Sequence, residues 1–133
     1  MSSLVLDTHA LIWFLSGSDR LSPNAAAAIQ EAAKEGHPLI ISSVSVVEVI
    51  YLTEKGRIEV THLPSLLSAL RRPDANVLVQ PFDLDTAETM RKISRDAVVD
   101  MPDRMIAATA LQLNLPLITR DAQIRAASLQ TIW

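Results

Sequence analysis

Four short, mostly apolar segments constrain the fold of this 133-residue chain more than any other feature. A strand with one face in water alternates apolar and polar residues, but these segments show no such alternation. Both faces of the sheet that they form are therefore expected to be covered by helices, as in parallel α/β proteins. The segments are residues 3–6, 39–41, 77–79 and 115–118, and the run Leu129–Trp133 is a candidate edge strand.

Helical patterns fill the intervals between these segments. Ser22 followed by Pro23 is typical of a helix start, and Gly17, Gly36 and Gly56 stand where helices end. Because no repeat or long linker interrupts the alternation, we expect one α/β domain over residues 1–133, with a short parallel sheet of four to five strands covered by helices on both faces. The predicted helices are His9–Leu15, residues 24–35, Ser45–Lys55, Pro64–Arg72 ended by Pro73, Asp85–Ser94, a helix from Asp103, and Asp121–Ala127.

Composition excludes several classes of function. The chain has no cysteine, which rules out disulfides, thiolate nucleophiles and zinc–thiolate sites. Hydrophobic residues make up 49% and charged residues 20%, as in folded domains rather than disordered chains. The net charge of -3 argues against a protein that binds DNA through an overall basic surface. With no signal-peptide pattern and no apolar run of about 18 residues, a cytoplasmic location and no membrane partner are expected.

Four carboxylates occupy corresponding points in the predicted topology. Asp7 directly follows the first strand and Asp121 follows the fourth, while Glu48 and Asp103 stand near helix starts. Because strand ends and the helix starts that follow them share one edge of a parallel sheet, the side chains are expected to converge there. Asp100, three residues before Asp103, adds a further acid. Converging carboxylates repel one another unless a hard cation such as Mg²⁺ lies between them, so a metal site is predicted at this edge.

Each of these acids also has a structural interpretation. Asp7, Asp103 and Asp121 are placed to cap helices, a role worth about 1 kcal/mol. Glu48 follows Ser45 at the spacing of a capping box. Taken one at a time, capping explains each residue better than catalysis does. Taken together, the shared edge and the additional acid favour a functional site.

The acids belong to an ordered set of motifs. These are Leu4-Val5-Leu6-Asp7-Thr8-His9-Ala10-Leu11-Ile12-Trp13, then Ile41-Ser42 with Glu48, then Asp100-Met101-Pro102-Asp103-Arg104 continuing to Ala110, and Leu117-Ile118-Thr119-Arg120-Asp121. In order and spacing they resemble the PIN-domain ribonucleases, and among these the VapC-type toxins of bacterial toxin–antitoxin pairs. The resemblance covers essentially the whole chain.

The resemblance implies an endoribonuclease that depends on a divalent metal, Mg²⁺ or, as a substitute, Mn²⁺. Asp7, Glu48, Asp103 and Asp121 match the acidic quartet of the family and would be both its catalytic residues and its metal ligands. Asp7 and Asp103 would be the most direct ligands, while Glu48 and Asp121 would bind a second ion or hold water. Whether one ion or two are bound stays open.

Other residues would support this quartet. Asp100 matches an acid often found beside it, and Thr119 matches a hydroxyl that orients Asp121. Thr8 and Ser43 are further hydroxyl candidates near the site. RNA would need cations, of which Arg104 and Arg120 adjoin quartet acids, although Arg104 is equally placed to pair with Asp100.

Partners are implied as well. The resemblance implies a homodimer that a cognate antitoxin inhibits, and the apolar helices at Leu11–Leu15 and Val46–Leu52 are candidates for the covered surface. Two other functions remain open. One is a PIN-like domain that binds RNA or protein without catalysis, its acids serving as caps. The other is an Mg²⁺-dependent phosphatase with Asp7 as nucleophile, although His9 stands where such enzymes usually carry a second aspartate.

Overall fold

The computed structural model describes residues 3–59, 62–72, 74, 76–127 and 129–133. Within this part of the chain five parallel strands form one sheet in the order β3-β2-β1-β4-β5, as the uninterrupted apolar segments predicted. The fourth strand is shorter than expected, because Leu115 and Pro116 lie before it. The strands are β1 (Leu4–Leu6), β2 (Leu39–Ser42), β3 (Val77–Gln80), β4 (Leu117–Ile118) and β5 (Thr131–Ile132).

Helices connect the strands in the described residues, and none of these helices has both the length and the apolar character needed to cross a bilayer. A single 3₁₀ turn, Met90–Lys92, extends one of them. Pro73, predicted to end the fourth helix, lies outside the described residues. The α-helices are α1 (Thr8–Ser16), α2 (Pro23–Lys34), α3 (Ser43–Glu54), α4 (His62–Arg71), α5 (Leu84–Thr89), α6 (Met101–Leu113) and α7 (Ala122–Ala126).

Capping residues at two helix starts differ from the expectation. Helix α3 begins two residues earlier than predicted, since the hydroxyl of Ser42 accepts the Val44 N–H at 3.1 Å. Ser45 therefore lies inside the first turn, and the capping box that it would form with Glu48 is wrong. Helix α6 is capped by Asp100 and not by Asp103.

The side chains of β1, β2 and β4 alternate between two hydrophobic clusters, one on either face of the sheet. The edge strand β3 is the exception to the expected covering on both faces, since Leu78 and Val79 are 51% and 38% exposed. Leu4 and Leu6 of β1 pack with Ile29 of α2 in the first cluster, to which α1, α3 and α4 also contribute. Val5 packs on the other face with Ile106 of α6, in a cluster that α7 completes. Burial on both faces explains why the strands carry consecutive apolar residues.

The sheet places the end of β1 beside the end of β4. The chain leaves β1 toward β2 on one side and returns to β4 on the other side only after β3. The Asp7 N–H donates to the carbonyl of Ile118 at 3.1 Å, which ties the two strand ends together. The direction of the strand order reverses here, and at such a point the diverging connections leave a crevice that binds ligands in open α/β sheets.

Candidate functional site

Asp7 and Asp121 stand at the two sides of this crevice, each as the N-cap of the helix that follows its strand. Asp7 Oδ1 accepts the Ala10 N–H at 2.9 Å, and Asp121 Oδ1 accepts the Ile124 N–H at 2.9 Å. Thr119 is fully buried between them. Its hydroxyl donates to the Asp7 carboxylate and accepts the Asp121 N–H at 3.1 Å. One side chain thus fixes both acids.

Asp100 and Asp103 come from the start of α6. Asp100 Oδ2 accepts the Asp103 N–H at 3.1 Å, so Asp100 performs the capping that was one interpretation of Asp103. Among the described residues no hydrogen-bond donor contacts the Asp103 carboxylate. A helix cap therefore does not account for an aspartate at this position.

Glu48 reaches the same edge from the second turn of α3. Its carboxylate accepts a hydrogen bond from the hydroxyl of Thr8, which itself lies 3.1 Å from the buried hydroxyl of Ser45. Thr8 follows Asp7 directly, so this bond joins the glutamate to the strand end that carries the first aspartate. Glu48 is therefore held by the hydroxyl of Thr8, and not by the capping box that was expected with Ser45.

A cavity of about 230 Å³ opens between these elements. It is large enough for a cation with several waters, since one water occupies about 30 Å³ of liquid. Glu48 and Asp100 lie outside its lining. The lining residues are Asp7, His9, Trp13, Asp103, Arg120 and Asp121.

Electrostatic coupling joins all five acids into one site. Burial raises the pKa of Asp103 to about 7, and the charges of Asp100, Asp121, Glu48 and Asp7 each add to that rise. Burial is also the main reason why the pKa values of Asp7 and Glu48 lie above their usual range. Hydrogen bonds from Thr119 and Thr8 respectively offset part of those two rises, since they favour the ionised form. Ionising the whole set is therefore costly without a positive charge.

The donor chemistry of this set fits a hard divalent cation. Carboxylate oxygens are the ligands that Mg²⁺ and Mn²⁺ favour, and the described chain brings no competing soft ligand to the cavity. As the side chains are oriented, no three Asp, Glu or His residues within the described ranges stand close enough to enclose a metal ion. The chemical nature of these residues therefore suits a divalent cation. For them to coordinate it together, at least one carboxylate must rotate from its present orientation.

Several residues differ from their sequence-based assignments. Arg104, expected to contact RNA or to pair with Asp100, donates from Nε to the Ile93 carbonyl at 3.0 Å and from Nη2 to the Met90 carbonyl at 2.8 Å. Its guanidinium is thus committed to holding α6 against the 3₁₀ turn. Ser43 is similarly occupied, because its hydroxyl accepts the backbone N–H of Phe82 at 3.1 Å.

Two residues of the cavity wall, His9 and Trp13, have no role at the acidic site in the sequence-based prediction. The third, Arg120, is predicted as a cation that adjoins a quartet acid, and the structure places it in the cavity wall. The ring centroids of His9 and Trp13 lie 5.6 Å apart, and the Arg120 guanidinium lies 4.8 Å from the Trp13 centroid. The helical spacing of residues 9 and 13 predicts the first contact, but nothing local predicts the second.

Comparison with known proteins agrees with this architecture. The curated protein Ribonuclease VapC22 from Mycobacterium tuberculosis is 29% identical over 126 residues, which cover 95% of this chain and 92% of that protein. A crystal structure of VapBC2 from Rickettsia felis bound to a promoter DNA fragment matches with a TM-score of 0.73 at 16% identity, over 97% of this chain and 96% of that one. A toxin–antitoxin complex from Klebsiella pneumoniae matches with a TM-score of 0.67 at 24% identity, over 98% and 96% of the two chains.

These structural likenesses concern the fold, since their sequence identities are low. The family itself is shown by the sequence model of the PIN domain, which matches residues 4–129. That range contains all five acids and every strand except β5. The chain belongs to the PIN domain family.

Proposed function

We propose that this chain acts, as a single domain over residues 1–133, as an endoribonuclease that hydrolyses RNA phosphodiester bonds with a divalent cation, Mg²⁺ or Mn²⁺. The observation that carries the proposal concerns Asp103. Its carboxylate caps no helix, and its pKa is raised to about 7 by burial and by four neighbouring acids. Membership of the PIN family and the similarity to a ribonuclease support the substrate class.

The acids would divide the work by their contacts. Asp7 and Asp103 would be the direct cation ligands, with Asp121 completing the cavity side of the site. Glu48, oriented by Thr8, would hold the attacking water or a second ion. Because Asp7 and Asp121 are held by their helix caps, the Asp103 carboxylate would be the one that turns toward the cation. When bound, the cation would neutralise charge on the phosphoryl oxygens and lower the pKa of its water.

The capping interpretation and this proposal are compatible for two of the residues. Asp7 and Asp121 each use Oδ1 for the helix N–H. A carboxylate has two oxygens and about four lone-pair directions, so the second oxygen remains for a cation. Capping fixes these two side chains in place, and a domain that used its acids only as caps would not need Asp103 or Glu48 in this crevice.

We further propose that a cognate antitoxin neutralises this activity and that the chain forms a homodimer. Of the structural relatives described above, the one from Klebsiella pneumoniae is a toxin–antitoxin complex, and the one from Rickettsia felis is VapBC2 bound to promoter DNA. On this chain, Val47 and Tyr51 are 63% and 58% exposed on α3, and Phe14 and Leu15 are exposed at the end of α1. Helices α1 and α3 contact each other, so these side chains are candidates for a surface that a partner covers.

The experiment that tests the proposal measures RNA cleavage by the purified protein with Mg²⁺, with Mn²⁺ and with excess EDTA. Asp7→Asn and Asp103→Asn should abolish cleavage, and circular dichroism should show an intact fold. Glu31→Gln is a matched control that removes one carboxylate charge from the exposed surface of α2. Full activity in the Asp7→Asn protein, or undiminished activity in EDTA, would contradict the proposal.

The same preparation distinguishes the alternatives. A domain that only binds RNA would retain the RNA and leave it uncut in every metal. A phosphatase would instead hydrolyse a simple phosphomonoester and form an acyl phosphate on Asp7. Growth arrest on expression, relieved by co-expression of a neighbouring antitoxin gene, would support the toxin assignment.

A further inference from the structure

Arg120 lies at the acidic cavity with its guanidinium over the indole of Trp13. Its guanidinium lies 4.8 Å from the centroid of Trp13, whose indole is buried at 7% exposure. On its other sides the indole packs against His9 at 5.6 Å and against Trp133 at 5.8 Å between ring centroids. An indole fixed by two neighbours is a rigid support, so the arginine loses little conformational freedom when it binds something further.

The guanidinium is not neutralised by the acids beside it. Arg120 shares the cavity lining with Asp7, Asp103 and Asp121, yet within the described residues it forms no ion pair and no side-chain hydrogen bond. An exposed arginine among carboxylates would normally be drawn to one of them. In the described residues the guanidinium of Arg120 contacts the Trp13 ring and pairs with no carboxylate, so its N–H groups remain available to a ligand.

No other lysine or arginine takes this place. Arg120 is the one such residue among the described residues that line the cavity. Arg104 follows an acid of the site directly, but its donors are bound to backbone carbonyls. A polyanion that enters an acidic site is favoured by a cation beside it, and Arg120 is the side chain that supplies one among the described residues of the wall.

We propose, on the basis of the ribonuclease function above, that Arg120 binds a backbone phosphate next to the scissile one, with Trp13 as its positioning residue. A guanidinium can stack one face on an indole while its N–H edge forms paired hydrogen bonds to phosphate oxygens. The contact would place the strand without reading its bases. It would therefore act on RNA of any sequence.

The test uses a fluorescein-labelled decaribonucleotide of mixed sequence, with binding measured by anisotropy in Mg²⁺. The Asp103→Asn protein serves as the background so that the probe is not cut. Arg120→Ala should weaken binding about tenfold, as expected for a hydrogen bond to a charged group. It should also reduce the slope of log K against log salt by about 0.7, the value for one phosphate contact on a single strand.

Arg125→Ala is the matched control, because Arg125 is an exposed arginine five residues later, on α7, and lies outside the cavity lining. It should leave the salt slope unchanged. In the unaltered background, Arg120→Ala should raise KM with little change in kcat, since a contact to a phosphate that does not react contributes equally to the ground state and the transition state. Arg120→Lys should restore the salt slope but only part of the affinity, because it keeps the charge and loses the planar stack.

A double-mutant cycle tests the part played by Trp13. Trp13→Leu should weaken binding about two- to fivefold in the presence of Arg120 and have no effect in the Arg120→Ala protein. Because Trp13 is buried, Trp13→Phe provides a milder variant that keeps an aromatic face and should retain most of the binding. An equal loss from the tryptophan substitutions in both backgrounds would overturn the positioning role.

Four outcomes overturn the proposal for Arg120. Equal losses from Arg120→Ala and Arg125→Ala would mean that only the overall charge matters. If Arg120→Ala leaves the slope of log K against log salt unchanged, Arg120 does not contact a phosphate, and its guanidinium would instead be a candidate to pair with a carboxylate of a protein partner. If the unaltered protein cleaves no RNA in Mg²⁺ or Mn²⁺, both the proposed function and this inference are overturned. If the unaltered protein cleaves RNA but Arg120→Ala changes neither RNA binding nor KM, the inference alone is overturned.

Discussion

Replacing Asp103 by asparagine should stabilise the metal-free protein at high pH. The folded chain raises the pKa of this carboxyl from its ordinary value of 3.8 to about 7, chiefly through burial and then through the charges of Asp100 and Asp121. A group whose pKa is raised by folding contributes stability that is fully present below its unfolded value and is lost as the pH rises through its folded value. Above pH 7 the folded state therefore bears the cost of an ionised Asp103.

The size of this cost follows from the shift. A rise of about three pKa units corresponds to about 4 kcal/mol for a group shielded from solvent. Asp103 is only half buried, so water and counter-ions screen its charge, and we expect about 1–2 kcal/mol to be measurable. In a chain of this length that corresponds to a rise of about 3–8 °C in Tm.

The assay is thermal and urea unfolding in EDTA at low ionic strength, at pH 8 and at pH 3.5. Asp103→Asn should be more stable than the unaltered protein at pH 8 and nearly equal to it in stability at pH 3.5, where Asp103 is protonated in the folded state and mostly protonated in the unfolded state. Glu31→Gln should show no such pH-dependent difference, since it removes an exposed charge far from the site. Adding Mg²⁺ should reverse the order, because a cation that binds only the folded state stabilises it by mass action.

The reasoning would be refuted by a stability difference that is the same at both pH values. Such a result would mean that Asp103 titrates normally and that asparagine acts through packing or the helix start. A loss of stability at pH 8 would point the same way.

Three further outcomes are expected. Thr119→Val should lower the free energy of unfolding by about 1–3 kcal/mol, because it removes the hydroxyl that accepts the partly buried Asp121 N–H. Thr119→Ser should restore both the melting temperature and RNA cleavage. Arg104→Ala should lower the urea midpoint, since two loop carbonyls lose charged donors, while RNA binding by anisotropy and its salt slope stay unchanged. Val47→Asp should abolish association with the antitoxin in size-exclusion chromatography and leave RNA cleavage intact, because Val47 is exposed outside the cavity.

The parts of the fold that depend on local patterns were predictable from the sequence. Strands buried on both faces must be apolar throughout, and their ends then place Asp7 and Asp121 at one edge whatever the details of the helices. The start of α3 was misplaced because Ser42, Ser43 and Ser45 are all suitable caps. Which of the three hydroxyls caps the helix depends on where strand β2 ends, and the local sequence does not determine that.

The arrangement of the arginines was not predictable in this way. Arg104 directly follows Asp103 and Arg120 directly precedes Asp121, so their local sequences do not distinguish the two arginines. What separates them is contact with distant residues, since Arg104 reaches carbonyls at positions 90 and 93 while Arg120 reaches an indole more than a hundred residues earlier. Such contacts come from packing of the whole domain and leave no periodic signal.

The capping bonds of Asp7 and Asp121 have a consequence for ion selectivity. Both side chains are locked by their own helices and by Thr119, so this half of the site cannot adapt to the radius of an ion. The carboxylate of Asp103 receives no hydrogen bond from the described residues and is free to turn. Mg²⁺ demands near-ideal octahedral geometry, whereas Ca²⁺ tolerates longer and less regular contacts. For the divalent cation proposed above, discrimination between the two ions would therefore rest on how closely the Asp103 carboxylate on α6 can approach the fixed pair of Asp7 and Asp121.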